Sequence, residues 1–193
     1  MRLFLIGLLF LLWAPDGPAQ ILRQPVPDKL GVDKPVLNVF RMFGLMQGER
    51  VEVSGDLAYD FRLVRDSSIR GKQPDINAMA SVDAHSAAVL IWNYHDDDLP
   101  APASPVTINM LGLPEGRVLL QHYRVDRDHS NAYTLWKKME SPPYPTSRQY
   151  AELEKAGQLE MLEAPEWIDT KGGRVAITME LPRQGVSLLK FSW

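Results

Sequence analysis

Short apolar runs separated by turn residues constrain the fold of this chain more than any other feature. The run at 87–94 is almost continuously apolar, and the runs at 117–125, 174–181 and 186–193 are rich in β-favouring residues. Fifteen prolines and thirteen glycines supply turns between such runs. Several short strands with turn signals between them are typical of an antiparallel β-sandwich. Further strands are predicted at 76–82 and 106–111, and a first strand carries Val51, Val53 and Leu57.

Composition excludes several classes of function. The net charge is -3 and no cluster of lysine and arginine occurs, so nothing favours binding to nucleic acid. The sequence has no cysteine, which excludes disulfides, thiolate metal sites and a cysteine nucleophile. We expect no cofactor.

The N-terminus has the pattern of an export signal. Arg2 precedes the apolar run 3–13, and small residues follow up to Ala19. A short positive region, an apolar core and small residues before a cleavage site are typical of a signal peptide, predicted here at 1–19. The chain would then be periplasmic or extracellular, with no membrane contact after cleavage. The alternative is a hydrophobic N-terminal strand or helix in a cytoplasmic chain.

A helix is predicted at 35–46, after a Pro-rich linker. Asp33 is the expected N-cap and Pro35 occupies the first turn, where its missing N–H costs nothing. Gly48 is the expected terminator. The linker and the helix together make a segment at 20–48. The apolar face of the helix comprises Val36, Val39, Phe40, Phe43 and Met46.

Two short helices interrupt the β pattern at 130–139 and 146–156. Ser130 is the expected cap of the first helix. Thr146 and Gln149 form a capping box for the second, which Gly157 ends. The sequence therefore predicts a sandwich domain at 49–193 with a helical insertion at 130–156.

Two clusters of polar residues invite a chemical interpretation. The run 95–98 is His-Asp-Asp-Asp, but it lacks the alternating donors of a calcium loop, so a solvated turn is favoured and no metal site is predicted. His122 and Asp126 share a face of one strand, and His129 lies beyond it. No nucleophile elbow or zinc motif accompanies them, which favours hydrogen-bonded histidines that fix a loop.

Aromatic residues near irregular loops suggest sugar stacking. Flat, partly apolar sugar faces pack well on aromatic rings. For Trp92 and Tyr123, on predicted strands, core packing is favoured; for Trp136 and Tyr144, surface and core roles remain open. The candidate carbohydrate-binding residues are Trp136, Tyr144, Tyr133, His129 and Asn131.

Five separated segments resemble the C-terminal part of glycoside hydrolase family 39. The most specific is RVDRDHSNAYTLWKKMESPPYP at 124–145; the others lie at 34–43, 74–80, 89–98 and 181–188. The family contains β-xylosidases and is related to α-L-iduronidase. The resemblance implies a (β/α)8 barrel followed by a β-sandwich, and the helix at 35–46 resembles the last helix of that barrel.

The resemblance also implies where catalysis would occur. The family is retaining, with an acid/base glutamate in an Asn-Glu-Pro motif and a nucleophilic glutamate after the seventh barrel strand. No Asn-Glu pair occurs in these 193 residues. We therefore assign no catalytic residue and expect an accessory sandwich, with the catalytic barrel missing, that is inactive alone.

Two other functions remain open at this stage. One is an exported module that binds xylan-type sugars through Trp136 and Tyr144. The other is an enzyme built on the sandwich itself, using carboxylates at 96–98 or Glu163, although surface solvation is favoured for Glu163 and Glu166. The expected partners are a xylo-oligosaccharide or a (β/α)8 barrel. We also expect self-association through the helix 35–46, because its apolar face would be exposed. One sheet edge is expected to be open, and its unpaired backbone groups favour association in the same way.

Overall fold

The computed structural model describes residues 31–70, 73–97 and 99–193. The predicted signal peptide and most of the linker lie outside the described residues. The helices are α1 (Pro35–Leu45), α2 (Phe61–Ser67), α3 (Ala132–Lys138) and α4 (Ser147–Ala156). The strands are β1 (Glu49–Val51), β2 (Asp75–Val82), β3 (Ser86–Tyr94), β4 (Ser104–Leu111), β5 (Gly116–Val125), β6 (Glu166–Thr170), β7 (Arg174–Leu181) and β8 (Val186–Ser192).

The strands form two antiparallel sheets, as the sequence predicts. The larger sheet has the order β1-β2-β3-β8-β5-β6, and β4 pairs with β7 in the smaller one. Val118, Leu189 and Phe191 of the larger sheet are buried in one cluster, against which Ile108 and Ile177 of the smaller sheet pack. Within the described residues, β4 and β7 each have a strand partner on one side only.

Helix α1 packs on the opposite face of the larger sheet. Val39 and Met42 are fully buried there, in one cluster with Leu90, Val125 and Leu188. Burying an aliphatic side chain contributes about 1.5–3 kcal/mol, so α1 belongs to the core of the sandwich. In the part of the chain that the structure describes, none of the helices has the length and apolar character needed to cross a membrane.

The helical insertion is confirmed in position and in one cap. Thr146 and Gln149 form both hydrogen bonds of the capping box, and Gly157 is the C-cap of α4. The prediction of Ser130 as the cap of α3 is wrong: Asn131 is the N-cap, and its side chain accepts a bond from the Thr134 N–H at 3.2 Å. Ser130 has a φ of 53° and its hydroxyl bonds elsewhere.

Three boundary predictions around α1 and β1 are corrected. Asp33 does not cap α1, because its carboxylate accepts a hydrogen bond from Arg41 at 2.7 Å instead. The first strand ends at Val51, and a Cβ on Gly48 would lie 2.0 Å from the Val82 carbonyl oxygen, so this glycine belongs to the β1–β2 contact. Residues 61–67 form the unpredicted α2, capped by Asp60.

Candidate functional site

The loop that follows β5 is organised by one buried carboxylate, Asp126. Its Oδ1 accepts hydrogen bonds from the backbone N–H groups of Asp128 at 2.8 Å and His129 at 2.9 Å. The imidazole Nδ1 of His129 lies 2.9 Å from the same oxygen. Arg124 approaches the second oxygen at 3.6 Å. The histidine and the acid that the sequence singled out therefore meet, in a network that fixes the loop.

The same loop is bonded to α1 through a buried asparagine. The amide nitrogen of Asn38 donates to the carbonyl oxygens of Ser130 at 2.9 Å and Gly157 at 2.8 Å. Its oxygen accepts from Arg41 at 2.7 Å. Since Asn38 is fully buried, these bonds satisfy a side chain that would otherwise be costly to bury. They join α1, the β5–α3 loop and the end of α4 into one unit.

The five predicted carbohydrate-binding residues lie in different environments. Trp136 is only 3% exposed, and its indole N–H donates to the Pro142 carbonyl oxygen at 3.0 Å. Tyr133 stacks on it at 5.8 Å between ring centroids.

Asn131 caps α3 and donates to the Asp126 carbonyl oxygen. His129 is partly buried against Asp126. Tyr144, in contrast, is 89% exposed. Tyr144 is thus the residue of this set with the most ring surface available to a ligand.

Two buried or half-buried acidic groups, Asp75 and Asp96, bond to neighbouring groups of the fold. Asp75 accepts from the Tyr59 N–H at 2.8 Å, and burial raises the pKa of its carboxyl. Asp96 accepts from the Ile69 N–H and from the Tyr94 hydroxyl. Burial first, and then the hydrogen bond and negative charge of Asp96, raise the pKa of Tyr94. Among the described residues, no group of three or more histidine or acidic side chains is placed to hold a metal ion.

A histidine–serine pair lies inside the sandwich. The Nε2 of His122 is 3.0 Å from the hydroxyl of Ser187, which is fully buried. Burial first, and then the positive charge of Arg124 and the proximity of His129, lower the pKa of His122 to about 4. A neutral imidazole can accept a serine proton, but a nucleophile must also reach its substrate. Because Ser187 is closed to solvent, the pair stabilises the contact between β5 and β8.

A surface depression formed by described residues of the smaller sheet offers no catalytic arrangement. One open depression of about 400 Å³ lies on the smaller sheet. Its lining has two basic side chains and no acidic one: Asn109, Met110, Leu111, Lys171, Arg174, Val175 and Ala176. Retaining glycoside hydrolysis needs two carboxyl groups about 5–5.5 Å apart across the sugar. This depression does not supply them.

Comparison with known proteins identifies the family. The family model described as glycosyl hydrolases family 39 matches residues 22–173. The chain belongs to this family. No curated protein is similar enough in sequence to match. The matched range includes α1, the sandwich up to β6 and the whole helical insertion.

Several solved glycosidase structures share the fold at low sequence identity. The family 39 enzyme from Xanthomonas axonopodis pv. citri matches with a TM-score of 0.66 at 18% identity, over 84% of this chain and 31% of that one. A monomeric β-xylosidase from Caulobacter crescentus CB15 matches with a TM-score of 0.65 at 17% identity, over the same shares of each chain. A bacterial orthologue of human α-L-iduronidase gives 0.53 at 18%, over 63% and 22%. The chain thus spans under a third of the length of these relatives.

Proposed function

We propose that this chain is the C-terminal accessory sandwich of a xylosidase-like glycosidase and that it has no hydrolase activity by itself. The observation that carries the proposal is the fold of the matched portion. The described residues form a sandwich with one helix packed on it, and they align with under a third of the β-xylosidase from Caulobacter crescentus. The resemblance places the two catalytic glutamates in a barrel, and the sequence has no Asn-Glu pair.

The chemistry of the described acids supports the same proposal. A general acid needs a carboxyl with a raised pKa beside the substrate, and a nucleophile needs an ionised carboxylate facing it. The raised pKa of Asp75 belongs to a carboxyl bonded to the Tyr59 backbone. The Oδ1 of Asp126 has three hydrogen-bond partners within its own loop, and its Oδ2 faces Arg124. Glu163 and Glu166 are exposed, in keeping with a role in solvation.

The outer face of α1 is where we expect the partner to bind. Phe40 is 53% exposed and Leu37 is 40% exposed, on the side of the helix opposite the buried Val39 and Met42. Exposed apolar residues on one helical face favour packing against another protein surface. A (β/α)8 barrel is the proposed partner, and self-association through 35–46 is the alternative when no barrel is present.

Covalent trapping tests the absence of catalysis. A retaining glycosidase forms a glycosyl-enzyme intermediate, and a 2-deoxy-2-fluoro-β-D-xyloside with an activated leaving group accumulates it. After incubation we expect the intact mass of this chain to stay unchanged, while a full-length family 39 β-xylosidase gains one fluoroxylosyl group. A stoichiometric adduct on a carboxylate of this chain would overturn the proposal.

Carbohydrate binding through the helical insertion is the second candidate function. The observation that favours it is the exposure of Tyr144, whose ring has few contacts with the rest of the chain. A Tyr144→Ala variant should then bind xylo-oligosaccharide more weakly than the native chain does. Equal binding by the two proteins would exclude a role for Tyr144.

A further inference from the structure

A second exposed aromatic residue, Trp167, lies on an open part of the larger sheet. Trp167 pairs with Leu119 across the β5–β6 ladder, so the two side chains share a face of the sheet. Val125, six residues further along β5, is on the same face and packs against α1. Six residues of strand span about 20 Å, so α1 covers one end of this face and Trp167 stands at the other.

The ring of Trp167 is held in place although 53% of the residue is exposed. The guanidinium carbon of Arg117 lies 5.7 Å from the ring centroid, a cation–π contact. The Nε of Arg117 is also 3.7 Å from the carboxylate of Asp169, its cross-strand neighbour. A rigid aromatic ring loses little conformational freedom when a ligand stacks on it.

Polar side chains follow the ring along the same face. Gln121 is two residues beyond Leu119 on β5 and pairs with Lys190 of β8. The amide nitrogen of Gln121 makes only long contacts, 3.4 Å to the Tyr123 hydroxyl and 3.9 Å to the Met161 sulfur. Side chains on one face recur about every 7 Å along a strand and about 4.8 Å across strands. This spacing presents donors and acceptors at intervals comparable to the hydroxyl groups of neighbouring sugar rings.

The composition of this surface favours a neutral, hydroxyl-rich ligand. Arg117 and Asp169 offset each other in charge, so the area beside the ring is close to neutral, and Lys190 adds one cationic donor further along the face. A stable protein interface usually has an apolar core, and Trp167 instead has charged and amide neighbours. A pyranose offers an apolar face for stacking and equatorial hydroxyl groups for the polar neighbours.

We propose that this surface binds a β-linked oligosaccharide of the xylan type, with a sugar ring stacked on Trp167 and hydroxyl groups bonded to Gln121 and Lys190. The Trp167 surface consists of Arg117, Gln121, Tyr123, Trp167, Asp169 and Lys190. The proposal deepens the carbohydrate-binding alternative by assigning it a surface separate from Tyr144. It is independent of whether the chain hydrolyses glycosides.

Titration of the full chain with xylohexaose tests the proposal by calorimetry and by NMR. We expect millimolar binding, with shifts in the Trp167 indole N–H and the Gln121 amide signals. Trp167→Ala should weaken binding at least about tenfold, which is 1.4 kcal/mol. Trp167→Tyr should retain part of the affinity, because a flat ring remains. Phe61→Ala is the matched control, since it removes another exposed aromatic ring, 68% exposed, from α2.

Several outcomes would contradict the proposal. If xylohexaose does not bind at about 10 mM, or if Trp167→Ala binds as the native chain does, the proposal is overturned. Binding lost in Tyr144→Ala and kept in Trp167→Ala would place the site on the insertion and also contradict it. Gln121→Ala provides a second test should Trp167→Ala fold poorly: unchanged affinity in that variant would contradict the assigned hydrogen bond.

Discussion

The two ends of one sheet face differ in how they use their side chains. At the α1 end, apolar residues are fully buried and Asn38 bonds to two separate loops. At the Trp167 end, an aromatic ring is half exposed and its amide and charged neighbours make long contacts. The first arrangement stabilises the fold, and the second leaves an aromatic ring and polar side chains accessible from solvent.

The largest effect is expected for the buried side of α1. Met42→Ala should lower the free energy of unfolding by about 3 kcal/mol, because it removes a fully buried side chain and leaves a cavity. Phe40→Ala, on the outer face of the same helix, is the matched control and should cost less than about 1 kcal/mol. Denaturant unfolding of both variants measures the difference. Equal losses would mean that α1 does not belong to the core.

The buried asparagine should have nearly as large an effect. Asn38→Ala leaves the carbonyl oxygens of Ser130 and Gly157 without their buried donor. Each orphaned group costs about 1–3 kcal/mol, so we expect a loss of about 2–3 kcal/mol in denaturant unfolding. Leu37→Ala, one residue earlier and partly exposed, should change stability far less. An Asn38→Ala variant with unchanged stability would show that the bonds from Asn38 to Ser130 and Gly157 do not stabilise the fold.

Acid should weaken the interior around His122. Its pKa is about 4 in the fold, below the value of 6.5 that is usual for histidine, so the unfolded chain binds a proton at a higher pH than the folded chain does. Stability contributed by the neutral imidazole is therefore complete above pH 6.5 and falls as the pH drops toward 4. With allowance for solvent screening, the loss is about 1–2 kcal/mol. His122→Gln should flatten this part of the stability–pH curve; an unchanged slope would assign the effect to other groups.

The smallest effect is expected at the capping box of α4. Thr146→Ala removes the acceptor of the Gln149 N–H and should cost about 1 kcal/mol. Ser147→Ala, in the first turn of the same helix, should stay within about 0.5 kcal/mol. Thermal unfolding of the pair is a suitable measurement. If the two variants melt alike, the cap does not contribute to the stability of the insertion.

Periodic and capping signals were sufficient to predict most of the fold. The apolar run of β3 and the Thr146–Gln149 pair are local patterns with one favoured structure, and both are confirmed. Strand β6 was not predicted, because its apolar content is low and Pro165 precedes it directly. Helix α2 has seven residues and none of them is buried, so it lacks a periodic face.

The candidate site was harder to predict, because exposure depends on distant contacts. Surface and core roles were open for both Trp136 and Tyr144, yet Trp136 is buried against Leu153 and Val32 while Tyr144 is exposed. Asn38 has two hydrogen-bond partners, Ser130 at 92 residues and Gly157 at 119 residues along the chain, and no local sequence pattern reveals them. Trp167 became a candidate only when the β5–β6 register placed it beside Arg117.

Hydrolysis of p-nitrophenyl β-D-xyloside by the purified chain tests the central claim most directly. A full-length family 39 β-xylosidase, assayed at the same concentration, is the positive control. The account predicts no release of p-nitrophenol above background, because the buried carboxylates of Asp75 and Asp126 bond to the fold and the open depression on the smaller sheet has no acidic side chain in its lining. Saturable turnover that co-purifies with the chain and is lost on changing one of its carboxylates would contradict the account.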